Sequence, residues 1–216
     1  MAHEYVKIDM ETWKRKAHCQ RFMDIVQPQY RIGVELDVTN FKSYIKEKHL
    51  SFTLAFIFAV SNCANGIEEL RYRFIGDSVV LYGSIDTVFT YLDAETELFK
   101  FVSVPMQDTM DKYVQLAAMS AKNQKEYFPE PVENDVFMFS ALPWLSWTQV
   151  SNTDYGDNRK AQPRFCWGKY FERAGRYWMP FSVQVHHSFV DGIHIAKLME
   201  KLQCYVNELG KSEAKQ

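Results

Sequence analysis

Several features that would assign this chain of 216 residues to a special class are missing from its sequence. The longest uninterrupted apolar run, Leu54 to Val60, is far shorter than the roughly 20 residues that a membrane-spanning helix requires. The first residues contain no basic stretch followed by an apolar core, so we expect no secretory signal. These absences predict a cytoplasmic globular protein without a membrane partner.

An excess of charge and closely spaced cysteines are missing as well. The 25 Lys and Arg residues nearly balance the 27 Asp and Glu residues, and a chain without a basic patch is poorly suited to nucleic acid. The four cysteines, Cys19, Cys63, Cys166 and Cys204, are far apart and include no CxxC pair, which argues against a zinc ribbon or a disulfide framework. We therefore expect free thiols.

Common catalytic fingerprints are also absent. The sequence has no GxxxxGK[ST] loop and no GxGxxG stretch, so it indicates neither a P-loop nor a dinucleotide-binding fold. It has no G-x-S-x-G elbow, so a serine hydrolase is not supported. Aromatic residues, in contrast, are abundant at 15% of the chain. They either fill a core and sheet or line a ligand pocket or subunit interface.

Hydrophobic periodicity predicts one α+β domain over residues 1–209, followed by a disordered polar tail at 210–216. Alternating apolar residues and turn signals predict strands over 31–38, 70–75, 78–82, 86–92, 135–140, 164–172 and 176–187. Helical spacing predicts helices over 11–26, 39–48, 51–65, 107–125 and 191–209.

The segment from Val183 to Gly192 is the candidate site of chemistry. Side chains alternate along the predicted strand, so His187 continues the apolar face of Val183 and Val185, and His186 belongs to the other face. Burial at the end of such a face disfavours a charged imidazole and leaves it able to accept a proton near neutral pH. His187 is therefore a candidate general base, and simple packing of a lone histidine is the structural alternative.

Asp191 precedes the last predicted helix, where a carboxylate can cap the first backbone N–H groups. That capping is its structural alternative to a catalytic role. His187, Asp191 and His194 could also form a metal triad of two histidines and one carboxylate. The sequence offers no fourth ligand nearby, so we expect no metal.

The segment His186-His187-Ser188-Phe189-Val190-Asp191-Gly192 resembles the HHxxxDG hallmark of the chloramphenicol acetyltransferases. Variant forms of the hallmark occur in dihydrolipoamide acyltransferases, but this chain has no lipoyl domain or flexible linker. Trp13 to His18 resembles the family's W-x-R-[KR]-x-H, and Ser140 to Trp144 resembles its S-A-x-P-W. The resemblance covers about Tyr5 to Leu209.

The resemblance implies a two-layer α/β sandwich with a mixed, mostly antiparallel sheet and helices on one side. It also implies a homotrimer with active sites between subunits, which transfers acetyl from acetyl-CoA to the primary hydroxyl of chloramphenicol and acts in antibiotic resistance. By motif, His187 is the general base of a direct transfer, and Ser140 hydrogen-bonds the oxyanion. Asp191 pairs with Arg15 and so holds the loop that orients the imidazole.

The same matching places Trp144, Lys169 and Tyr170 near CoA. It assigns four residues to the acceptor: Phe22, Phe99, Phe101 and Cys166. Three of these depart from the family pattern, which often has Thr at Cys166, Tyr at Phe22 and a smaller residue at Phe101. A thiol is a weaker hydrogen-bond partner than a hydroxyl. Two alternatives stay open: acetylation of another hydroxyl compound, and a catalytically silent trimeric binding protein of the same fold.

Overall fold

The computed structural model describes residues 3–129, 134–153 and 156–209, so the predicted tail at 210–216 lies outside the described residues. The elements in chain order are β1 (Tyr5–Lys7), α1 (Lys16–Met23), β2 (Gln29–Asp37), α2 (Thr39–Glu47), α3 (Phe52–Asn65), β3 (Tyr72–Ile75), β4 (Ser78–Tyr82), β5 (Asp86–Leu92), β6 (Phe99–Val104), α4 (Met110–Asn123), β7 (Val136–Leu142), β8 (Arg164–Gly168), β9 (Phe171–Arg173), β10 (Arg176–His186) and α5 (Gly192–Glu208).

Two sheets organise these strands. The large sheet has the order β2-β10-β8-β7-β5-β6, with β9 also paired to β10, and the small sheet has the order β1-β4-β3. Within the large sheet β5 and β8 run parallel to β7, and the other pairs are antiparallel. The predicted α+β class with a mixed, mostly antiparallel sheet is therefore confirmed.

Helix α3 anchors the helical layer because it is apolar on nearly every side. The Ser51 hydroxyl accepts a hydrogen bond from the backbone N–H of Leu54 and caps the helix, as a serine at this position favours. Phe56 packs edge-on against Trp167 of β8 and Phe181 of β10, with ring centroids 5.1 and 5.7 Å away. The odd-numbered residues of β8 and β10 therefore face the helices. The even-numbered residues of these strands face the opposite side of the sheet.

The first predicted helix, residues 11–26, is wrong in extent, since α1 spans only Lys16–Met23. The Asp9 carboxylate accepts hydrogen bonds from the Glu11 backbone N–H and the Thr12 hydroxyl, both at 3.0 Å. These bonds stabilise a turn that competes with helix at this point.

Two features of the large sheet differ from the prediction made from the sequence. Strand β6 follows a turn in which Glu97 has φ of 57°, a conformation that sequence reasoning normally looks for at glycine. The predicted strand at 164–172 is divided into β8 and β9 because the segment 145–147 crosses the chain at Gly168. A Cβ atom there would lie 2.5 Å from the Leu145 carbonyl oxygen, so only glycine admits the crossing.

None of the helices among the described residues combines the length and the apolar character that a membrane crossing requires.

Candidate active site

His187 lies in a tight turn between β10 and α5. Strand β10 ends at His186, one residue earlier than predicted, although the His187 backbone N–H still donates to the Pro28 carbonyl at 3.0 Å. The backbone N–H groups of Phe189 and Val190 both donate to the His186 carbonyl, which closes the turn. The sheet therefore sets the position of the His187 backbone.

Two aromatic rings pack against the His187 imidazole. Phe22 of α1 stacks on it with ring centroids 4.0 Å apart and an interplanar angle of 13°, and Tyr30 of β2 lies 4.6 Å away. The Tyr30 hydroxyl donates to the Val190 carbonyl at 3.2 Å, and burial raises the pKa of Tyr30 to about 12. Tyr30 is a site residue that sequence reasoning missed. The only feature of the sequence that could have indicated Tyr30 is its position, one residue before the predicted strand at 31–38.

Arg15 and Asp191 form a two-pronged ion pair beneath the turn. The guanidinium Nη1 and Nη2 atoms donate to the two carboxylate oxygens of Asp191 at 2.6 and 2.8 Å. Arg15 also donates to the Ser188 carbonyl at 2.9 Å and to the His187 carbonyl at 3.3 Å. One side chain, only 10% exposed, thus fixes the turn at three points. The Arg15 guanidinium holds the pKa of the Asp191 carboxyl below its usual value.

The carboxylate of Asp191 also faces the imidazole. Its Oδ1 atom lies 3.2 Å from Nδ1 of His187, without the alignment of a hydrogen bond. Nδ1 is buried, whereas 36% of the side chain is exposed. Nε2 is therefore the ring nitrogen that the hydroxyl group of a substrate can reach. A negative charge beside Nδ1 favours the tautomer with its proton there, which leaves a lone pair on Nε2. The exposed edge of the ring is therefore suited to accept a proton.

The expectation that His187 is the desolvated histidine is wrong. The buried imidazole belongs to His186, which is 2% exposed and whose pKa burial lowers to about 4. Its Nδ1 accepts from the Ser188 backbone N–H at 3.1 Å, so Nε2 carries the proton that it donates to the Asn158 carbonyl at 2.8 Å. The physical reason is that the strand ends at His186, and the turn then swings His187 out of the apolar face.

We predict that replacing His186 with Gln removes part of the acid sensitivity of the fold. Unfolded histidine binds a proton below about pH 6.5 and folded His186 only near pH 4, so stability falls as the pH drops between these values. The loss attributable to His186 is about 3 kcal/mol over that range. Urea unfolding of wild type and His186→Gln at several pH values measures it. The exposed His18, replaced by Gln, is the control, and an unchanged slope in His186→Gln would contradict the assignment.

Ser140 lies in a different cluster, on the face of the sheet that the helices leave open. Ser140 and Cys166 are register partners in β7 and β8, so the two side chains lie beside each other on the same face of the sheet. They line a groove of about 290 Å³, here called the Ser140 groove, together with Phe99 and Phe101. Burial raises the pKa of Cys166 to about 11, so its sulfur stays a protonated thiol and is a poor nucleophile. Four of the predicted site residues thus share one groove.

The predicted CoA residues follow the ends of β7 and β8, the two strands that carry Ser140 and Cys166. Trp144 is 59% exposed, and Lys169 is exposed with its backbone N–H donating to the Leu145 carbonyl at 2.7 Å. Tyr170 instead packs between Phe52 and Tyr177 on the helix side. The structure therefore brings Trp144 and Lys169 near one end of the central strands and turns the Tyr170 ring away from the open face.

The two clusters are far apart within one chain. Ser140 is opposite Cys166, which is opposite Ser182 in β10, and His187 follows Ser182 by five positions. Strands about 4.8 Å apart with a rise of about 3.3 Å per residue separate the Cα atoms of Ser140 and His187 by roughly 19 Å. Two side chains cannot bridge that distance to act on one bond. The His187 cluster and the Ser140 cluster are therefore separate within one chain, and they are called here the two half-sites.

The possible metal triad is not assembled. His194 Nδ1 accepts from the Asp191 backbone N–H at 2.9 Å, and its Nε2 lies 3.4 Å from a Glu69 carboxylate oxygen. No group of three metal-ligating side chains converges within residues 3–129, 134–153 and 156–209. Asp191 does occupy the N-cap position of α5, as predicted, although Arg15 holds its carboxylate.

Comparisons with known proteins show to which family the chain belongs. The family profile "Chloramphenicol acetyltransferase" matches residues 3–203. A chloramphenicol acetyltransferase of Klebsiella sp is 30% identical over 208 residues, which cover 94% of this chain and 94% of that protein. A solved structure of a chloramphenicol acetyltransferase superposes with a TM-score of 0.83 at 27% identity, covering 94% of this chain and 100% of that one.

A probable dihydrolipoamide acetyltransferase from Listeria monocytogenes superposes with a TM-score of 0.66 over 95% of both chains. At 14% identity this likeness shows the fold alone. The match of the family profile and the identity to the Klebsiella protein, each across nearly the whole chain, are decisive. This chain belongs to the chloramphenicol acetyltransferase family.

Proposed function

We propose that the protein is an acyltransferase that moves acetyl from acetyl-CoA to the primary hydroxyl of chloramphenicol. We further propose that it works as a cytoplasmic homotrimer and contributes to antibiotic resistance. The observation that carries the proposal is the His187 imidazole, held by Phe22, Tyr30 and the Arg15–Asp191 pair with its Nε2 side accessible. A base held in one orientation is what direct acetyl transfer requires.

His187 Nε2 takes the proton of the acceptor hydroxyl while the hydroxyl oxygen attacks the thioester carbonyl. The C–S bond then breaks, and the proton passes from His187 to the leaving CoA sulfur. Ser140 donates its hydroxyl proton in a hydrogen bond to the oxyanion. No acyl-enzyme is needed, which agrees with the raised pKa of the only thiol in the Ser140 groove.

The separation of the half-sites supports the trimer. His187 and Ser140 must lie within a few ångströms of the same reacting carbon, but roughly 19 Å separates them in one chain. A second copy can bring its His187 to the Ser140 groove of the first. Repeating this head-to-tail contact around a rotation axis closes a ring. The active sites then lie between subunits, with Lys169 and Trp144 at the CoA end.

The test measures CoA release from acetyl-CoA in the presence of chloramphenicol, followed by mass spectrometry of the drug. His187→Ala is the control, because the four cysteines react with thiol reagents and give a background signal. A drug product that gains one acetyl group with wild type but not with His187→Ala is the expected result. Acetyl-CoA binding without any acetylated drug would contradict chloramphenicol as the acceptor.

The lining of the Ser140 groove favours one alternative substrate, a hydroxyl compound other than chloramphenicol. Phe99 and Phe101 line the groove with ring centroids 6.0 Å apart, and Phe128 packs against these two rings at 5.5 and 5.3 Å. The groove also includes Arg164, a charged side chain among aromatic neighbours. Another hydroxyl compound is therefore the alternative acceptor, and a panel of alcohols in the same assay separates the two.

We predict that Cys166→Thr keeps or raises the rate of acetyl transfer. Cys166 is 1% exposed beside Ser140, and threonine supplies a stronger donor and acceptor of similar size at that point. Steady-state kinetics with chloramphenicol measure the change, and Cys166→Ala, which offers no hydrogen bond, is the matched control. A sharp loss in Cys166→Thr would mean that the thiol suits a different acceptor.

A further inference from the structure

A buried histidine that the proposed reaction does not use follows the turn that carries His187. His194 is in the first turn of α5, three residues after Asp191, and it is only 8% exposed. Its Nδ1 atom accepts a hydrogen bond from the Asp191 backbone N–H at 2.9 Å. A neutral imidazole that accepts at Nδ1 carries its proton on Nε2. Neutral His194 therefore holds the main chain of the residue whose carboxylate faces the general base.

The other ring nitrogen of His194 meets an acidic side chain. Its Nε2 atom lies 3.4 Å from Oε1 of Glu69, and the two side chains are only 10% and 19% exposed. Glu69 is the middle residue of a single 3-10 turn, Glu68–Leu70, which connects α3 to β3. Leu70 in that turn is completely buried, so the core fixes the turn. Partners on both sides of the imidazole set its tautomer and its ring orientation.

Asp191 is therefore held at two separate points. Arg15 donates to both carboxylate oxygens at 2.6 and 2.8 Å, and the His194 imidazole accepts from the backbone N–H of the same residue. The carboxylate Oδ1 atom in turn lies 3.2 Å from Nδ1 of His187. Loss of either attachment frees Asp191 to move relative to the base. A shift of about 1 Å in such a group can cost about 100-fold in rate.

The charged groups that face His194 come from three parts of the chain. Glu69 follows α3, Arg15 precedes α1, and Asp191 and Lys197 are the cap and a second-turn residue of α5. Burial is the largest influence and lowers the pKa of His194, and the positive charges of Arg15 and Lys197 act in the same direction. The carboxylates of Glu69 and Asp191 oppose them. His194 is therefore neutral near pH 7, which is the form in which Nδ1 accepts a hydrogen bond.

We infer that His194 and Glu69 are positioning residues for the general base. They hold Asp191 through its backbone N–H, and Asp191 keeps the proton of His187 on Nδ1. Protonation of His194 removes the acceptor, so the site loses activity when either imidazole, His187 or His194, binds a proton. The inference rests on the proposed function, in which His187 is the base, and its first test needs no substrate.

That test records the imidazole nitrogen chemical shifts of protein labelled with 15N-histidine as a function of pH. His187→Gln and His194→Gln assign the two signals, because each variant lacks one of them. In wild type we expect the proton of neutral His187 on Nδ1. In His194→Leu, which offers no acceptor to Asp191, the His187 shifts should move towards those of a tautomer mixture. Unchanged His187 shifts in His194→Leu would overturn the inference.

The second test is the pH profile of acetyl transfer to chloramphenicol. His194→Leu should lower kcat by up to about 100-fold and leave KM for acetyl-CoA unchanged. Glutamine at the third position of a helix also accepts from the backbone N–H of the cap residue, so His194→Gln should recover most of kcat at pH 8. Glutamine binds no proton. In acid, log kcat should therefore fall with a slope of about one in His194→Gln and about two in wild type.

Glu69→Gln tests the pair with a smaller change of structure. The charge of Glu69 favours the protonated imidazole, so its removal lowers the pKa of His194 further. The titration of His194 should move to lower pH, both in the nitrogen shifts and in the kinetic profile. Glu68→Gln, at the exposed position before it, is the matched control and should keep the wild-type profile.

Two further results would overturn the inference. One is a titration of His194 in Glu69→Gln that is identical to that of wild type. The other is a slope of about two that persists in His194→Gln. Wild type that forms no acetylated chloramphenicol would contradict the proposed function instead, and the nitrogen shifts would still decide whether His194 positions His187.

Discussion

Replacing His187 with Ala should reduce acetyl transfer by about 10²- to 10⁴-fold, the usual contribution of a general base. The affinity for acetyl-CoA should change little, because the residues assigned to CoA lie at the other half-site. Initial rates at saturating acetyl-CoA and calorimetric binding of acetyl-CoA measure the two effects separately.

Two controls make this result specific. His18→Ala removes an exposed histidine of α1, the helix that also carries Phe22, and should leave the rate unchanged. His187→Gln keeps a polar side chain but no proton-accepting nitrogen, so it should be as inactive as His187→Ala. Normal turnover in either His187 variant would remove His187 from the role of base.

Two inactive variants should restore activity when they assemble together. Ser140→Ala lacks the oxyanion donor, a change that typically costs about 10²- to 10³-fold, and His187→Ala lacks the base. If each site combines His187 of one copy with Ser140 of the next, every mixed trimer contains one junction at which both are intact. Such trimers should show about one third of the wild-type activity.

The experiment co-expresses the two variants with different affinity tags and purifies oligomers that carry both tags. Each variant expressed alone under both tags is the control, because it should stay inactive in the same preparation. Sites built within a single chain would give no recovery in mixed oligomers. Full absence of activity in folded, doubly tagged oligomers would therefore contradict a site shared between subunits.

Several parts of the molecule could be predicted because their signals are local. Helix α3 has an apolar surface on nearly every side and a serine cap, and strand β5 has the predicted bounds Asp86–Leu92. The hairpin of β3 and β4 turns at Gly76, whose φ of 55° suits glycine. The HHxxxDG segment is likewise a local signal, and it predicts His187 and Asp191 as site residues without reference to the rest of the chain.

The environment of each site residue was not readable in the same way. Period-two alternation assigned burial to His187, but the strand stops at His186 and the turn reverses their exposures. Tyr30 reaches the imidazole only because β2 pairs with β10, so that Tyr30 is opposite Val185. A contact between residues that are far apart in sequence has no signature in either segment alone.

The sequence by itself determined the α+β class, the order of most elements and the residues that carry the family motifs, because periodicity, caps and short motifs act over a few neighbouring residues. Only the tertiary structure decided which residues meet. Strand register joins Ser140 to Cys166 and keeps Ser140 roughly 19 Å from His187, whereas the fold of α1 brings Arg15 to Asp191, 176 positions away. Pairing between distant segments depends on the packing of the whole chain, and for that reason the sequence alone left it open.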